Sequence, residues 1–129
     1  MLEIGIGGRR PHDDWPLVAR PLLSERETEF YRRLEAMYPE HRIFVQVALS
    51  QLLEVRADLR ERRAIQNRFF RLVADFVIYH ADLSVVAVIE LDDSSHIRAN
   101  RQDADRRKTK ALESAGLRLI RIPWDPFRR

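Results

Sequence analysis

"VADFVIYHADLSVVAVIELDD", residues 73–93, holds two β-branched apolar runs about a short polar turn, and each run carries a carboxylate among core-type residues. With the first run extended back over its preceding residues, "FFRLVADFVIYH" (69–80) and "SVVAVIELD" (84–92) read as the two strands of a hairpin. Strand side chains alternate faces, so Asp75 shares a face with Val77, and Glu90 shares one with Asp92. A hairpin centred between Asp82 and Leu83 sets Asp75 directly opposite Glu90, with Cβ atoms roughly 5 Å apart. Like charges opposed across a ladder repel, and carboxylates forced into an apolar sheet protonate or find a cation. A divalent ion resolves that conflict. Asp75, Glu90 and Asp92 make an oxygen-ligand set suited to Mg²⁺ or Mn²⁺ rather than to zinc. The competing placement, acids at solvent-exposed strand ends, suits Asp75 poorly, because "LVA" and "FVIY" flank it.

Outward from the hairpin, a helix is expected from about Arg101 to Ala115, with Asn100 as its N-cap and Gly116 where a left-handed C-terminal residue belongs. At about 100° per residue, Ala104, Ala111, Leu112 and Ala115 make its inward face, and Lys108 falls in the middle of that face. A lysine there either snorkels along the sheet to water or reaches the acidic cluster. Lys110 points the opposite way, and Asp105 borders the apolar stripe close to Arg101. "LRLIRI" (117–122) is the last strand. On the other side, "SERE" (24–27) is a capping box opening a helix to about Tyr38, with a stripe of Phe30, Tyr31, Leu34 and Met37. Glu27 shares that stripe, so it either serves the cap alone or extends towards a metal-bound water. "RIFVQVALSQLL" (42–53) begins as a strand, and residues 54–66 are ambiguous. The order α-β-β-β-α-β predicts an α/β (α+β) domain over residues 22–129, a mixed sheet flanked by helices, behind an irregular N-terminal arm, residues 1–21.

A chain of 129 residues fits one domain with one modest core. No apolar run comes near the length needed to span a bilayer, so no membrane partner is expected. Cysteine is absent, which rules out disulfides and thiolate metal sites, and the start "MLEIGIGGRRPHDDWP" lacks a secretory pattern; a cytoplasmic location is expected. The net charge is +3, yet Lys108 and Lys110 are the only lysines, so the positive charge is nearly all arginine. Guanidinium forks suit phosphate. "EVRADLRERRAIQNRFFR" (54–71) gathers Arg56, Arg60, Arg62, Arg63, Arg68 and Arg71 beside two aromatics, either a nucleic-acid face or a solvated surface.

Taken together, "VADFVIYHADLSVVAVIELDDSSH" and "RQDADRRKTKALESAGLRLIRI" resemble the PD-(D/E)xK restriction-endonuclease-like superfamily. More narrowly they resemble a bacterial group of unknown function that reads DF, IELDD..H, RQ..D and L...G and is related to the very-short-patch-repair endonucleases. The resemblance covers about residues 22–122. It implies a restriction-endonuclease-like core and a Mg²⁺- or Mn²⁺-dependent endodeoxyribonuclease in repair, defence or mobile-element processing. Its partners would be DNA, or RNA, and a homodimer mate or larger DNA-processing assembly. Asp75 matches the metal-binding aspartate and Glu90 the acidic residue of the second strand. Asp92 stands where the superfamily has lysine, a departure shared with the narrower group's ExD signature. The resemblance further implies roles for His96, for Arg101, Gln102 and Asp105 of "RQDAD", for Glu27 on the first helix and for Gln46 on a strand. Lys108 would replace the displaced lysine. A different class stays open, a nucleic-acid-binding module of this fold without hydrolysis, as does a protein-interaction accessory with neither metal nor DNA affinity. His12, His41 and His80 belong to no constellation.

Overall fold

The computed structural model describes residues 14–92 and 99–123 together with Gly5, Gly7 and Gly8, with side chains from Gln102 onward in the second stretch. Its elements are α1 (Glu25–Met37), β1 (Arg42–Ala48), α2 (Leu49–Leu52), α3 (Leu59–Phe69), β2 (Val73–Tyr79), β3 (Val85–Asp92), α4 (Ala99–Ser114) and β4 (Leu119–Pro123). The four strands form one mixed sheet in the order β1-β2-β3-β4. The first three are mutually antiparallel, and β4 lies parallel to β3. Parallel neighbours need a crossover connection, and α4 supplies it. The expected mixed α+β architecture is therefore present, with α2 and α3 added between the first two strands.

Local chemistry sets the boundaries. The Ser24 hydroxyl accepts from the Glu27 N–H at 3.2 Å while the Ser24 N–H donates to Glu27 Oε1 at 2.9 Å, closing both arms of the capping box. Asp58 caps α3 in the same way, accepting from the Glu61 N–H at 2.9 Å, so the ambiguous segment is a helix. That helix carries Ile65 and Phe69 inward at i, i+4, and Phe69 is buried. The strand expected from Phe69 onward consequently starts later, at Val73. Helix α4 already includes Ala99, so Asn100 lies inside it rather than capping it. Its far end closes as expected: Leu117 N–H donates to the Leu112 carbonyl and Gly116 N–H to that of Glu113, with Gly116 at φ +74°.

The central hairpin has the anticipated register, with Phe76 opposite Ile89, Val77 opposite Val88 and Ile78 opposite Ala87. Near the turn it shifts, so that Tyr79 pairs with Val85 and Val86 is the extra residue. Both faces of this hairpin are covered. Phe30 and Leu34 of α1 pack on Phe76, Ile78 and Ile89, with Phe30 edge-on to Phe76 at 5.1 Å. On the opposite face Leu49, Phe69 and Leu112 pack on Val77 and Val88. Burying side chains of this size stabilises by roughly 1.5–3 kcal/mol each.

An alanine at 116 meets no atom within 4 Å, so its cost is purely that of the left-handed backbone. Gly116→Ala should lower the unfolding free energy by about 1–2 kcal/mol in a urea titration. An unchanged midpoint would show that the end of α4 does not depend on this cap.

Candidate functional site

One row of polar residues crosses the whole sheet. Glu90 pairs with Arg121 across β3 and β4. Asp75 lies one step beyond the Phe76–Ile89 pair, and Gln46 falls opposite Asp75, between the Val45–Phe76 and Val47–Ala74 pairs. At Gln46 the backbone takes φ +53°, a conformation that non-glycine residues avoid. The strand turns over there, since Val45 packs with the α1-side cluster and Val47 with the other.

Asp75 and Glu90 interlock through each other's strands. The Asp75 N–H donates to Glu90 Oε2 at 3.0 Å, and the Leu91 N–H donates to Asp75 Oδ2 at 3.1 Å. Carboxylates thus take acceptor places that ladder carbonyls occupy elsewhere in the sheet. Glu90 is 5 % exposed, the one buried polar or charged residue among those described. Its Oε1 has no aligned hydrogen-bond donor, but Lys108 Nζ stands 2.5 Å away as its ion-pair partner. Of the two outcomes open for Lys108, the reach to the acidic cluster is the one adopted. Burial, reinforced by the hydrogen bonding and charge of Asp75, pushes the Glu90 carboxyl up from its ordinary 4.5 to about 7, and Lys108 offsets only part of the rise.

Helix α4 is held from both sides of Lys108. Arg121 reaches Thr109 Oγ1 at 2.5 Å and Asp105 Oδ1 at 3.2 Å. Arg107 donates from Nη1 to the Arg68 carbonyl at 2.8 Å and from Nε to Asp103 Oδ2 at 3.1 Å. Sequence reasoning missed both arginines. The signal for Arg121 was available, because alternation in "LRLIRI" puts it on the face of Leu119, towards α4.

The other expected residues are placed less centrally. Asp92 is exposed at the end of β3, and no group of three or more histidine, aspartate or glutamate side chains converges among the described residues. Glu27 is engaged in its capping box and shares a cavity with Gln46, without a described contact to Asp75 or Glu90. Gln102 is exposed, and Asp105 pairs with Arg121, while Lys108 pairs with Glu90. His96 and the side chain of Arg101 lie outside the described residues. Ala115 falls past the helix end and is exposed, so it leaves the inward face. Lys110 is surface, as expected. Arg60, Arg62, Arg63, Arg68 and Arg71 are all exposed on or just after α3. His41 and His80, unrelated in the sequence, lie with their rings tilted at 39° and 5.7 Å apart beside the Arg42–Tyr79 pair, at the other end of the sheet from Asp75.

Fold and site together define a mixed α+β domain with an interlocked carboxylate pair, Glu90 buried and Asp75 half-buried, and a lysine set into one sheet face. The family model described as "Protein of unknown function (DUF2726)" matches residues 19–128, and the chain belongs to that family. An uncharacterized protein of Haemophilus influenzae is 28% identical over 123 residues, which is 89% of this chain and 62% of that protein. The chain thus spans less than two thirds of the relative's length. No solved structure matches the chain. Among the described residues, no helix is long and apolar enough to cross a membrane.

Because Glu90 binds its proton more tightly folded than unfolded, its contribution to stability is present below about pH 4.5 and is lost as pH rises to about 7. In EDTA-containing buffer, parent and Glu90→Gln should therefore diverge between pH 5 and 8, the parent losing up to about 3 kcal/mol relative to the variant. Urea unfolding at both pH values measures this. A relative gain by the parent would mean that Lys108 wins and Glu90 is held ionised.

Proposed function

We propose that the domain is a metal-dependent nuclease that hydrolyses phosphodiester bonds in DNA, with Asp75 and Glu90 as the ion-holding carboxylates and Lys108 as the cation beside them. The observation carrying this is the interlocked Asp75–Glu90 pair, half-buried and buried, with Lys108 on Glu90, set on two central strands whose other buried residues are apolar. A buried ion pair contributes little net stability compared with apolar residues of the same volume, so packing alone gives weak reason for it. The likeness of "DF", "IELDD..H" and "RQ..D" to the PD-(D/E)xK enzymes and the very-short-patch-repair endonucleases supports the same reading.

The donor set fits Mg²⁺ or Mn²⁺: hard oxygen ligands, with Glu90 buried and one of its carboxylate oxygens lacking an aligned donor. Mg²⁺ characteristically takes one or two carboxylates and completes its shell with water and substrate phosphate, so Asp75 and Glu90 suffice, with Asp92 the nearest addition along β3. Such an ion, when bound, lowers the pKa of a coordinated water and neutralises charge on the scissile phosphate. Lys108 presents an ammonium for charge developing on the phosphoryl oxygens. Arg60, Arg62, Arg63, Arg68 and Arg71 offer guanidinium forks to backbone phosphates along the α3 side.

One observation favours a second reading. Glu90 already has a cation in Lys108, and no third ligand joins it among the described residues. A nucleic-acid-binding module without hydrolysis satisfies both facts.

A panel of labelled single-stranded, duplex, mismatched and branched DNA with Mg²⁺ or Mn²⁺ decides between them. Asp75→Asn and Glu90→Gln should each abolish ion binding in calorimetry and cleavage in the panel. Parent-like ion affinity in both variants would mean the site is misplaced.

Lys108→Met should reduce cleavage by roughly 100-fold, with Lys108→Arg retaining more because it keeps the charge. Exposed Arg32 on α1, replaced by glutamine, should change nothing. Circular dichroism establishes that each variant is folded, and equal cleavage by Lys108→Met and parent would restrict Lys108 to a structural role.

A further inference from the structure

Two cavities adjoin on the α3–α4 side of the molecule, and Arg68 and Arg107 line both. The first, of about 460 Å³, is lined by Asn67, Arg68, Arg71, Leu72 and Arg107, three guanidinium groups with no carboxylate among them. The second, of about 340 Å³, has an apolar floor of Leu53, Val55, Ile65, Phe69 and Ala111. Arg56 and Lys110 join the two shared arginines around it, against a single acid, Glu54. We propose that the two cavities form one site for a single unpaired nucleotide, with its phosphate among Arg68, Arg71 and Arg107 and its base on the apolar floor between α3 and α4.

The chemistry of each half selects its part of the ligand. Arginine clusters recognise phosphate through paired N–H donors, while a base lies against apolar surface with little dependence on its identity. A volume of about 340 Å³ is at the small end of ligand pockets, which suits one base rather than a stacked pair. Arg107 is fixed in the dividing wall by the Arg68 carbonyl and Asp103, which engage two of its five donors and leave others for an anion. A paired base is locked in its stack and must be unpaired and unstacked to enter, so single strands and unpaired positions are favoured.

The site also lies close to the carboxylates. Arg71 precedes Asp75 by four residues on the entry to β2, at most about 13 Å of extended chain. Arg107 is the neighbour of Lys108 on α4. A nucleotide held here sits within a few phosphates of Asp75 and Glu90, which would place an unpaired position at a set distance from the cleaved bond. The purpose of the site rests on the nuclease reading; its existence does not.

The test uses the full chain in EDTA, so that binding is read without cleavage. Deoxyadenosine 5′-monophosphate, deoxyadenosine and inorganic phosphate are titrated separately, with calorimetry for affinity and heteronuclear NMR for location. The mononucleotide should bind at least tenfold more tightly than either part, with shifts at Ile65, Phe69 and Ala111 as well as at the arginines. Arg71→Gln should weaken mononucleotide and phosphate alike, whereas Ile65→Ala should weaken only the mononucleotide. Equal affinity for phosphate and mononucleotide overturns the proposal, as do shifts confined to other surfaces, absence of binding, or tighter binding of a short acidic peptide bearing apolar residues. Mononucleotide binding without cleavage of any DNA would sink the hydrolytic reading alone, and cleavage without mononucleotide binding would sink this site alone.

Discussion

A carboxylate buried in an apolar sheet demands a positive charge, and the Glu90–Lys108 pair is where that demand is met. The consequences spread outward from it. Lys108 can reach Glu90 only if α4 crosses the sheet with that face inward, and Leu112, one turn further on, buries fully in the same face. The helix is then fixed on either side of the lysine, by Arg121 on Asp105 and Thr109 and by Arg107 on the Arg68 carbonyl. The Arg107 contact ties α4 to α3, so a charge requirement at the sheet centre is linked to the placement of the arginine-rich helix.

The pair lies in the same row as the strained backbone of the sheet. Asp75 and Glu90 accept from backbone N–H groups in place of ladder carbonyls, and the neighbouring edge strand carries its positive-φ residue, Gln46, in the same row. Strained backbone and perturbed carboxyl pKa values each cluster at functional sites. A row of glutamine, aspartate, glutamate and arginine across four strands, with hydrophobic clusters on both faces around it, is an arrangement that packing would not select.

The proposed chemistry divides between two carboxylates in the sheet and a set of arginines on the helices. The sheet supplies rigidity, because side chains on central strands are held by packing on both faces. The arginines are exposed, which suits contact with a long, flexible polyanion. Arg68, Arg71 and Arg107 stand where the two sets meet, at the passage from α3 into β2 and on α4 beside Lys108.

How much of this was legible beforehand follows from the range of the interactions. Period-two alternation and turn chemistry are local, and they were enough to place Asp75 opposite Glu90, to set Lys108 on the inward face of its helix, and to mark Ser24 and Gly116 as helix ends. The segment 54–66 was ambiguous although Asp58, with Glu61 three residues on, is a local start signal, because its helix is fixed by Ile65 and Phe69 finding a core made of Leu49, Val77 and Leu112, which are distant in the chain. For the same reason the sequence offered Lys108 two fates and left Asp105 near Arg101. Only the packed structure brought Lys108 to Glu90 and gave Asp105 to Arg121, since partners separated by sixteen or more positions are chosen by how whole elements pack and not by any local period.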